Sequence, residues 1–479
     1  MSKLGNLKPT GVFRYFEEIS AIPRGSENMT GIAQYCESFA QKHKFSYVRD
    51  KADNVVIMKP ATQGYENSEP VILQGHLDIV CQKDADKIFD FEKDGIELVT
   101  DGNFITANGT TLGADNGIAV ALILAILDSD NIPHPPIEAV FTTDEEIGML
   151  GAIELDMSIL KGKRMINLDA EEDDSVTVSC AGGSDFKVNI PLLPAEKQGT
   201  KITLTVKGLK GGHSGVEIHK GRVNANKLMG EILKALSESC NFDIISINGG
   251  DKSNAIPNRS IIEFLVSEKD SFTKLVIDCL ESIKARYTNE PDLTYSIECG
   301  ESGSYSVFNE ELKQHILHIL LNVPDGVIEM SREIEGLVET STNLGILQTD
   351  SDGLMLHFAL RSNKNSGLFE LEKQLCAFFE KMGVFADTFG HYPPWEYKED
   401  SVLRELYKSV YTDYYGKEPK VEAIHAGLEC GVFASQIKDF DCIAIGPDLR
   451  DVHTVNEKLS VSSTENLYNL ILKILEKLK

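Results

Sequence analysis

The stretch Val71-Ile72-Leu73-Gln74-Gly75-His76-Leu77-Asp78 decides how the rest of the chain is read. An apolar run stops at a glycine and then presents His-x-Asp, so a buried strand delivers two metal-competent side chains to its carboxyl end. Ile137 to Thr142 and Met165 to Leu168 repeat the pattern, the first leading into Asp144-Glu145-Glu146 and the second into Asp169. Open α/β sheets place their ligand sites beyond the carboxyl ends of their strands. Three such runs predict one sheet, covered on both faces, with a polar site along one end.

Toward the amino terminus, Val12 to Ile19 has helical spacing, closed by Ala21-Ile22-Pro23-Arg24-Gly25. A second helix follows, with Ser26 or Asn28 as its cap and Met29, Ile32, Tyr35, Cys36 and Phe39 as its buried stripe. Phe45 to Val48 and Asn54 to Lys59 read as short strands. Asn116 to Leu127 is a strong helix that turns Ile118, Ala119, Leu122, Ala125 and Ile126 to the core.

After Gly182-Gly183 the texture changes to the alternating strand Lys201 to Val206, a glycine-rich turn from Gly208 to Gly215 and a helix from about Arg222 to Leu236. A later strand, Leu354 to Arg361, with a helix near Leu368 to Lys381, marks a second α/β block of the same domain. His391-Tyr392-Pro393-Pro394-Trp395 returns the chain to the first domain, whose texture resumes from Ser401 to a terminal helix over Thr464 to Leu478. The predicted organisation is a catalytic domain in two parts, 1–185 and 397–479, with 186–396 inserted as a lid. The two crossings, near Gly182 and Trp395, make a hinge.

With 479 residues, 42% of them hydrophobic and 25% charged, the chain has the composition of an ordinary globular protein of two or three domains. The amino terminus lacks the basic-then-apolar pattern of a signal peptide and no apolar run reaches the length of a membrane span, so a cytoplasmic protein is expected. Nine scattered cysteines without a Cys-x-x-Cys pair argue against disulfides or a thiolate zinc site and predict reduced thiols, most of them buried. A formal net charge of −27 disfavours nucleic acid and anionic membranes as partners.

Hydrolytic metal pairs lie about 3.5–4 Å apart and need a bridging carboxylate, terminal His or carboxylate ligands, and an open position for water. Asp115, in Gly113-Ala114-Asp115-Asn116-Gly117, is the natural bridge, because the glycines permit a tight turn that aims a short carboxylate. The helix start behind it offers amides to anions. The same residues would also serve as a plain helix cap. Of the adjacent acids Glu145 and Glu146, one can face a metal while the other moves protons; Asp169 and His453 supply further ligands, and Asp78 can orient the His76 ring.

Gly75-His76-Leu77-Asp78, Gly113-Ala114-Asp115-Asn116-Gly117, Asp144-Glu145-Glu146-Ile147-Gly148, Asn167-Leu168-Asp169, Gly211-Gly212-His213-Ser214-Gly215 and the late His453 together resemble the dizinc exopeptidase family that includes aminoacylase and bacterial carboxypeptidases. The resemblance spans essentially the whole chain. It implies an α/β, three-layer catalytic domain with an inserted α+β lid, and two divalent ions, zinc first, with manganese or cobalt as alternatives. In that reading His76 and Asp169 hold one ion, Glu146 and His453 the other, Asp115 bridges through a cis Asp115–Asn116 peptide, Glu145 is the general base and Asp78 steers His76. His213 stabilises the oxyanion, Asn254 and Arg361 hold a substrate carboxylate, and Gly427 and Glu429 lie at a substrate-facing helix start. The implied activity is hydrolysis of dipeptides with a free amino terminus, including those ending in histidine. N-acyl amino acid deacylation, tripeptide hydrolysis and a non-catalytic metal-binding role are the alternatives, and both monomer and homodimer remain open.

Overall fold

The computed structural model describes residues 2–479. The chain divides into two compact units: unit 1 comprises Met1–Cys180, Pro394–Ala423 and Leu428–Lys479, and unit 2 comprises Ala181–Pro393 and Ile424–Gly427. The chain therefore passes between units four times, not at the two expected crossings alone. The extra excursion is tied down inside unit 2. His425 is wedged between Ser341 Oγ at 2.7 Å and Asn363 Oδ1 at 3.0 Å, while the Ala181 amide donates to the carbonyls of Ile424 at 3.2 Å and Ala426 at 3.0 Å.

Unit 1 is built on an eight-stranded sheet. Its strands are β1 (Ser46–Arg49), β2 (Val55–Lys59), β3 (Val71–His76), β4 (Ile137–Thr142), β5 (Arg164–Asn167), β6 (Ser175–Cys180), β7 (Lys420–Ile424) and β8 (Asp441–Ala444), in the order β1-β2-β4-β3-β5-β8-β6-β7. β3 runs parallel to β4 on one side and β5 on the other, and β5 runs parallel to β8. Every residue of β3 and β4 is buried, as strands covered on both faces require. His76 lies opposite Thr142 and Gln74 opposite Asn167, so the segments beyond all three strands leave the sheet at the same end.

The helix Ala114–Asp128 is buried all round, with Val120, Ala121, Ile123 and Leu124 as inaccessible as the residues expected on its inner side. It is a central helix with no solvent face. The first-turn expectation for the helix Thr30–His43 is corrected: neither Ser26 nor Asn28 caps it, and the Ser26 hydroxyl donates instead to Asp78 Oδ2 at 2.9 Å.

Unit 2 carries a nine-stranded antiparallel sheet. The ladder between its two halves has one pair, Gly249 opposite Leu347, backed by Thr349 bonding to Ile247 and Asn248, so the two α/β blocks expected from sequence share one continuous sheet. Four helices, Ala225–Ser237, Lys269–Arg286, Glu310–Asn322 and Asn365–Glu380, contribute Leu228, Ile283, Ile316 and Leu371 among others to one core with the sheet. All nine cysteines are free, but only Cys36, Cys180, Cys430 and Cys442 are buried, and Cys81 and Cys299 are exposed. Among the described residues no helix is long and apolar enough to cross a membrane.

Candidate active site

Beyond the ends of β3, β4 and β5 the chain brings together His76, Asp115, Glu146, Asp169 and His453. Asp115 presents its two oxygens to different imidazoles: Oδ1 lies 3.3 Å from His76 Nε2 and Oδ2 lies 2.9 Å from His453 Nε2. Asp169 Oδ1 is 3.5 Å from His76 Nε2, and Glu146 Oε1 is 3.0 Å from His453 Nε2. Ligand atoms of His76, Asp115 and Glu146 fall within 4.8 Å of one another. The Asp115–Asn116 peptide is cis.

Asp78 organises this cluster without belonging to it. Its backbone carbonyl accepts from His76 Nδ1 at 3.1 Å, which fixes a proton on Nδ1 and leaves Nε2 as the atom that faces the carboxylates, where a proton or a metal ion can sit. Its side chain accepts the consecutive amides of Glu145 and Glu146 at 3.0 and 3.1 Å. One buried carboxylate thus locks the loop after β4 to the end of β3. Asp144, Asp451 and His453 take φ of 52°, 53° and 64°, a region L side chains rarely adopt, so both loops that carry acids or imidazole to the cluster are strained.

The residues present suit divalent cations. Two donors about 2.1 Å from a tetrahedral ion lie roughly 3.4 Å apart, and the imidazole–carboxylate separations above run from 2.9 to 3.5 Å. Electrostatics point the same way. Burial opposes charge on His76, but Asp169, Asp115 and Asp78 outweigh it and raise its pKa. Hydrogen bonds to Asp115 and Glu146 push His453 up to about 11. Burial also works against the Asp115 charge, yet His453 and His76 hold that carboxyl far below its ordinary range. Asp169 rises to about 6 through burial, with Asp115 and Glu146 adding repulsion. Glu145 is raised well above its ordinary value by burial and by Asp169, Glu429 and Glu146. A cation would relieve this crowding of acids.

The layer beneath is a polar ladder. Asn167 donates to Gln74 Oε1 at 2.6 Å, and Gln74 Nε2 and Thr142 Oγ1 both donate to Glu429 Oε2, at 2.5 and 2.7 Å. Glu429 has no solvent exposure, and burial pushes its carboxyl up to about 8.

Unit 2 holds the remaining candidates. His213 pairs with Ala255 in a two-stranded ribbon, and the next residue's amide donates to the Asn254 carbonyl at 2.9 Å. His213 Nδ1 accepts the amides of Gly215 and Val216 at 3.1 and 3.2 Å, which places the ring proton on Nε2 as a free-standing donor. Burial and the neighbouring Arg361 lower His213 to about 4, so the ring is neutral at pH 7. Asn254 and Arg361 line a cavity of about 410 Å³ together with Asp185, Lys252, His357 and Tyr392; Tyr392 Oη accepts from Arg361 Nη1 at 2.8 Å. Gly427 closes the short Ile424–Gly427 excursion.

Two residues behind Asp115 were not singled out from sequence. The Glu457 carboxylate accepts four successive amides, Leu112 to Asp115, and the fully buried Arg24 donates to the carbonyls of Leu77 at 2.9 Å and Gly113 at 2.6 Å. The amides expected to face an external anion are therefore taken. No periodicity or spacing marks either residue, and Arg24 reads only as part of a helix stop.

An α/β sheet with a His-and-carboxylate cluster beyond its parallel strand ends has the donor set that metal-dependent hydrolases use. Residues 72–477 match Peptidase family M20/M25/M40, and the chain belongs to that family of metallopeptidases. It is 35% identical over its full length to the cytosol non-specific dipeptidase of Escherichia coli, covering 99% of that protein. The crystal structure of aminoacylhistidine dipeptidase from Vibrio alginolyticus superposes with a TM-score of 0.89 at 36% identity, over 99% of this chain and 98% of that one. A tripeptidase from Staphylococcus aureus shares the fold, with a TM-score of 0.56 at 15% identity over 98% and 99% of the two chains.

Proposed function

We propose that this chain is a dipeptidase that uses two divalent ions, zinc first among them, to hydrolyse dipeptides with a free amino terminus, including those ending in histidine. The observation that carries this reading is the split presentation of Asp115, with Oδ1 toward His76 and Oδ2 toward His453. His76 and Asp169 would hold one ion, Glu146 and His453 the other, and Asp115 both. Imidazole with carboxylate favours zinc over manganese by the usual affinity order, with manganese and cobalt as alternatives. When bound, such a pair polarises a carbonyl and acidifies water.

The chain's own groups do the rest. Glu146 faces His453, which leaves Glu145 to accept the water proton and return it to the leaving amine. Asp78 holds both backbone amides and the His76 ring, so base and ligand keep fixed positions. The neutral His213 donates from Nε2 to the developing oxyanion. Asn254 and Arg361 bind the substrate carboxylate and Gly427 contacts the peptide, while Glu429, expected at a substrate-facing helix start, is fully buried and anchors the start of the Glu429–Gln436 helix from beneath. The two relatives above are dipeptidases by name, which favours dipeptides over longer or acylated substrates. The same reading places the chain in the cytoplasm and allows a homodimer, which sedimentation of the purified protein would detect.

The test is a substrate panel on metal-free and zinc-reconstituted protein: Ala-His and other dipeptides, tripeptides, and N-acyl amino acids. Dipeptide turnover that a chelator abolishes and zinc restores is expected. Cleavage of the acylated compounds alone would overturn the assignment.

A further inference from the structure

The turn Leu112–Asp115 is gripped from two sides by buried charges. On one side the Glu457 carboxylate, 2% exposed, accepts Leu112 N at 2.8 Å, Gly113 N at 3.0 Å, Ala114 N at 2.8 Å and Asp115 N at 3.3 Å. On the other, Arg24, 1% exposed, donates to the Gly113 carbonyl at 2.6 Å and ties it to Leu77, the residue after His76. Successive amides that converge on one point form an anion-binding nest. Gly113, at φ 68°, supplies the left-handed residue such a turn needs. The glycines on either side of Asp115 also make room for the guanidinium. A methyl on Gly117 would collide with Arg24, and one on Gly113 would press on Ile79 and Arg24.

We infer that Glu457 is a positioning residue for Asp115: its carboxylate is the built-in occupant of the nest, and it sets the aim of both Asp115 oxygens while closing the nest to outside anions. The geometry is specific to a carboxylate. Four amide donors need an acceptor on both of its branches, so glutamine would turn an NH2 group toward amides already seeking acceptors. Aspartate is one methylene short. Loss of Glu457 leaves four buried amides without their acceptor, in a hole the size of a small carboxylate.

This inference rests on the assignment of Asp115 as a metal ligand. Groups that orient ligands are typically worth about 10- to 100-fold in metal affinity or activity. Zinc titration of chelator-stripped protein, with metal content by mass spectrometry, should therefore show Glu457→Ala and Glu457→Gln weakened by about that factor. Sodium formate should restore affinity in Glu457→Ala toward wild type and raise its melting temperature without metal, whereas sodium chloride at the same ionic strength should not. Circular dichroism checks folding, and if Glu457→Ala does not fold, Glu457→Gln alone decides by its affinity. Wild-type zinc affinity in the folded variant overturns the inference, and so does a loss in Glu457→Ala that formate leaves untouched. Asp115→Asn separates the two claims. Should that variant keep both ions at wild-type affinity, the ligand assignment itself fails; should it lose them while Glu457→Ala does not, only the role of Glu457 fails.

Discussion

Each unit holds a pair of histidines beside fixed charge, and the two pairs are driven in opposite directions. In unit 1, His76 and His453 face Asp115, Asp169 and Glu146 at hydrogen-bond range, and both are raised. In unit 2, His213 and His425 are lowered, to about 4 and about 3, by burial and by the nearby Arg361. The same side chain thus serves two designs. Carboxylates make the first pair a place where positive charge collects, and a proton or a metal ion can satisfy it. Desolvation beside a guanidinium keeps the second pair neutral, with the His213 Nε2 proton available to a group that carries or develops negative charge.

The largest effect expected on this contrast comes from the adjacent acids in unit 1. Glu145→Gln keeps the shape and removes a proton acceptor, so turnover should fall by about 10,000-fold or more with both ions retained. Glu146→Gln should instead weaken the ion held with His453, and excess zinc should recover part of the activity. Metal analysis beside single-turnover rates for the two variants reads both effects. If Glu145→Gln loses metal and Glu146→Gln keeps it, the two roles are exchanged and the cation-collecting cluster has been drawn around the wrong acid.

A smaller loss is expected in unit 2. His213→Ala removes one neutral donor, and oxyanion donors are typically worth about 100- to 1,000-fold in kcat. Metal content should stay at the wild-type level, because the His213 ring is held through Nδ1 by the amides of Gly215 and Val216 rather than by the carboxylates of the cluster. Loss of metal in this variant would merge the two histidine pairs into one site and end the distinction between them.

The cation-collecting cluster was legible in the sequence because its chemistry sits where strand periodicity stops. An apolar run that ends in His76, in Asp169 or, a short turn later, in Glu145 and Glu146 announces both a buried strand and a polar end. What supports the cluster was not legible. Glu457 meets Asp115 across 342 residues and Arg24 meets Gly113 across 89, and neither separation leaves a local pattern. Ser26 was misread for a related reason: its hydroxyl has a local use as a cap and a tertiary use on Asp78, and the tertiary partner wins. The helix Ala114–Asp128 showed its apolar residues but not its complete burial, since a helix covered on all sides loses the periodic contrast that reveals a face.

The smallest effect is on stability against pH, and it tests the contrast most directly. His425, 5% exposed, sits between Asn363 Oδ1 and Ser341 Oγ, an arrangement in which one ring nitrogen donates, the other accepts and the ring stays neutral. Its folded pKa of about 3 lies below an unfolded value of about 6.5. Between those values the unfolded chain binds the extra proton, so this group leaves stability unchanged above pH ~6.5 and lowers it as pH falls through the window. His453 has the reverse sign. In metal-free protein its pKa of about 11 lies above the unfolded value, so its contribution is fully present below pH ~6.5 and is lost as pH rises toward 11. Its side chain is 48% exposed, and solvent screening keeps this contribution small. The two windows do not overlap, so melting temperatures of chelator-treated protein across pH can assign each limb. His425→Gln should lessen the acid limb, to which His213 also contributes, and leave the alkaline one; His453→Gln should lessen the alkaline limb, to which His76 also contributes, and leave the acid one. Hydrogen–deuterium exchange at the imidazole Cε1 gives each pKa independently, and a His425 that titrates near 6.5 would show that unit 2 does not hold its histidines neutral by burial.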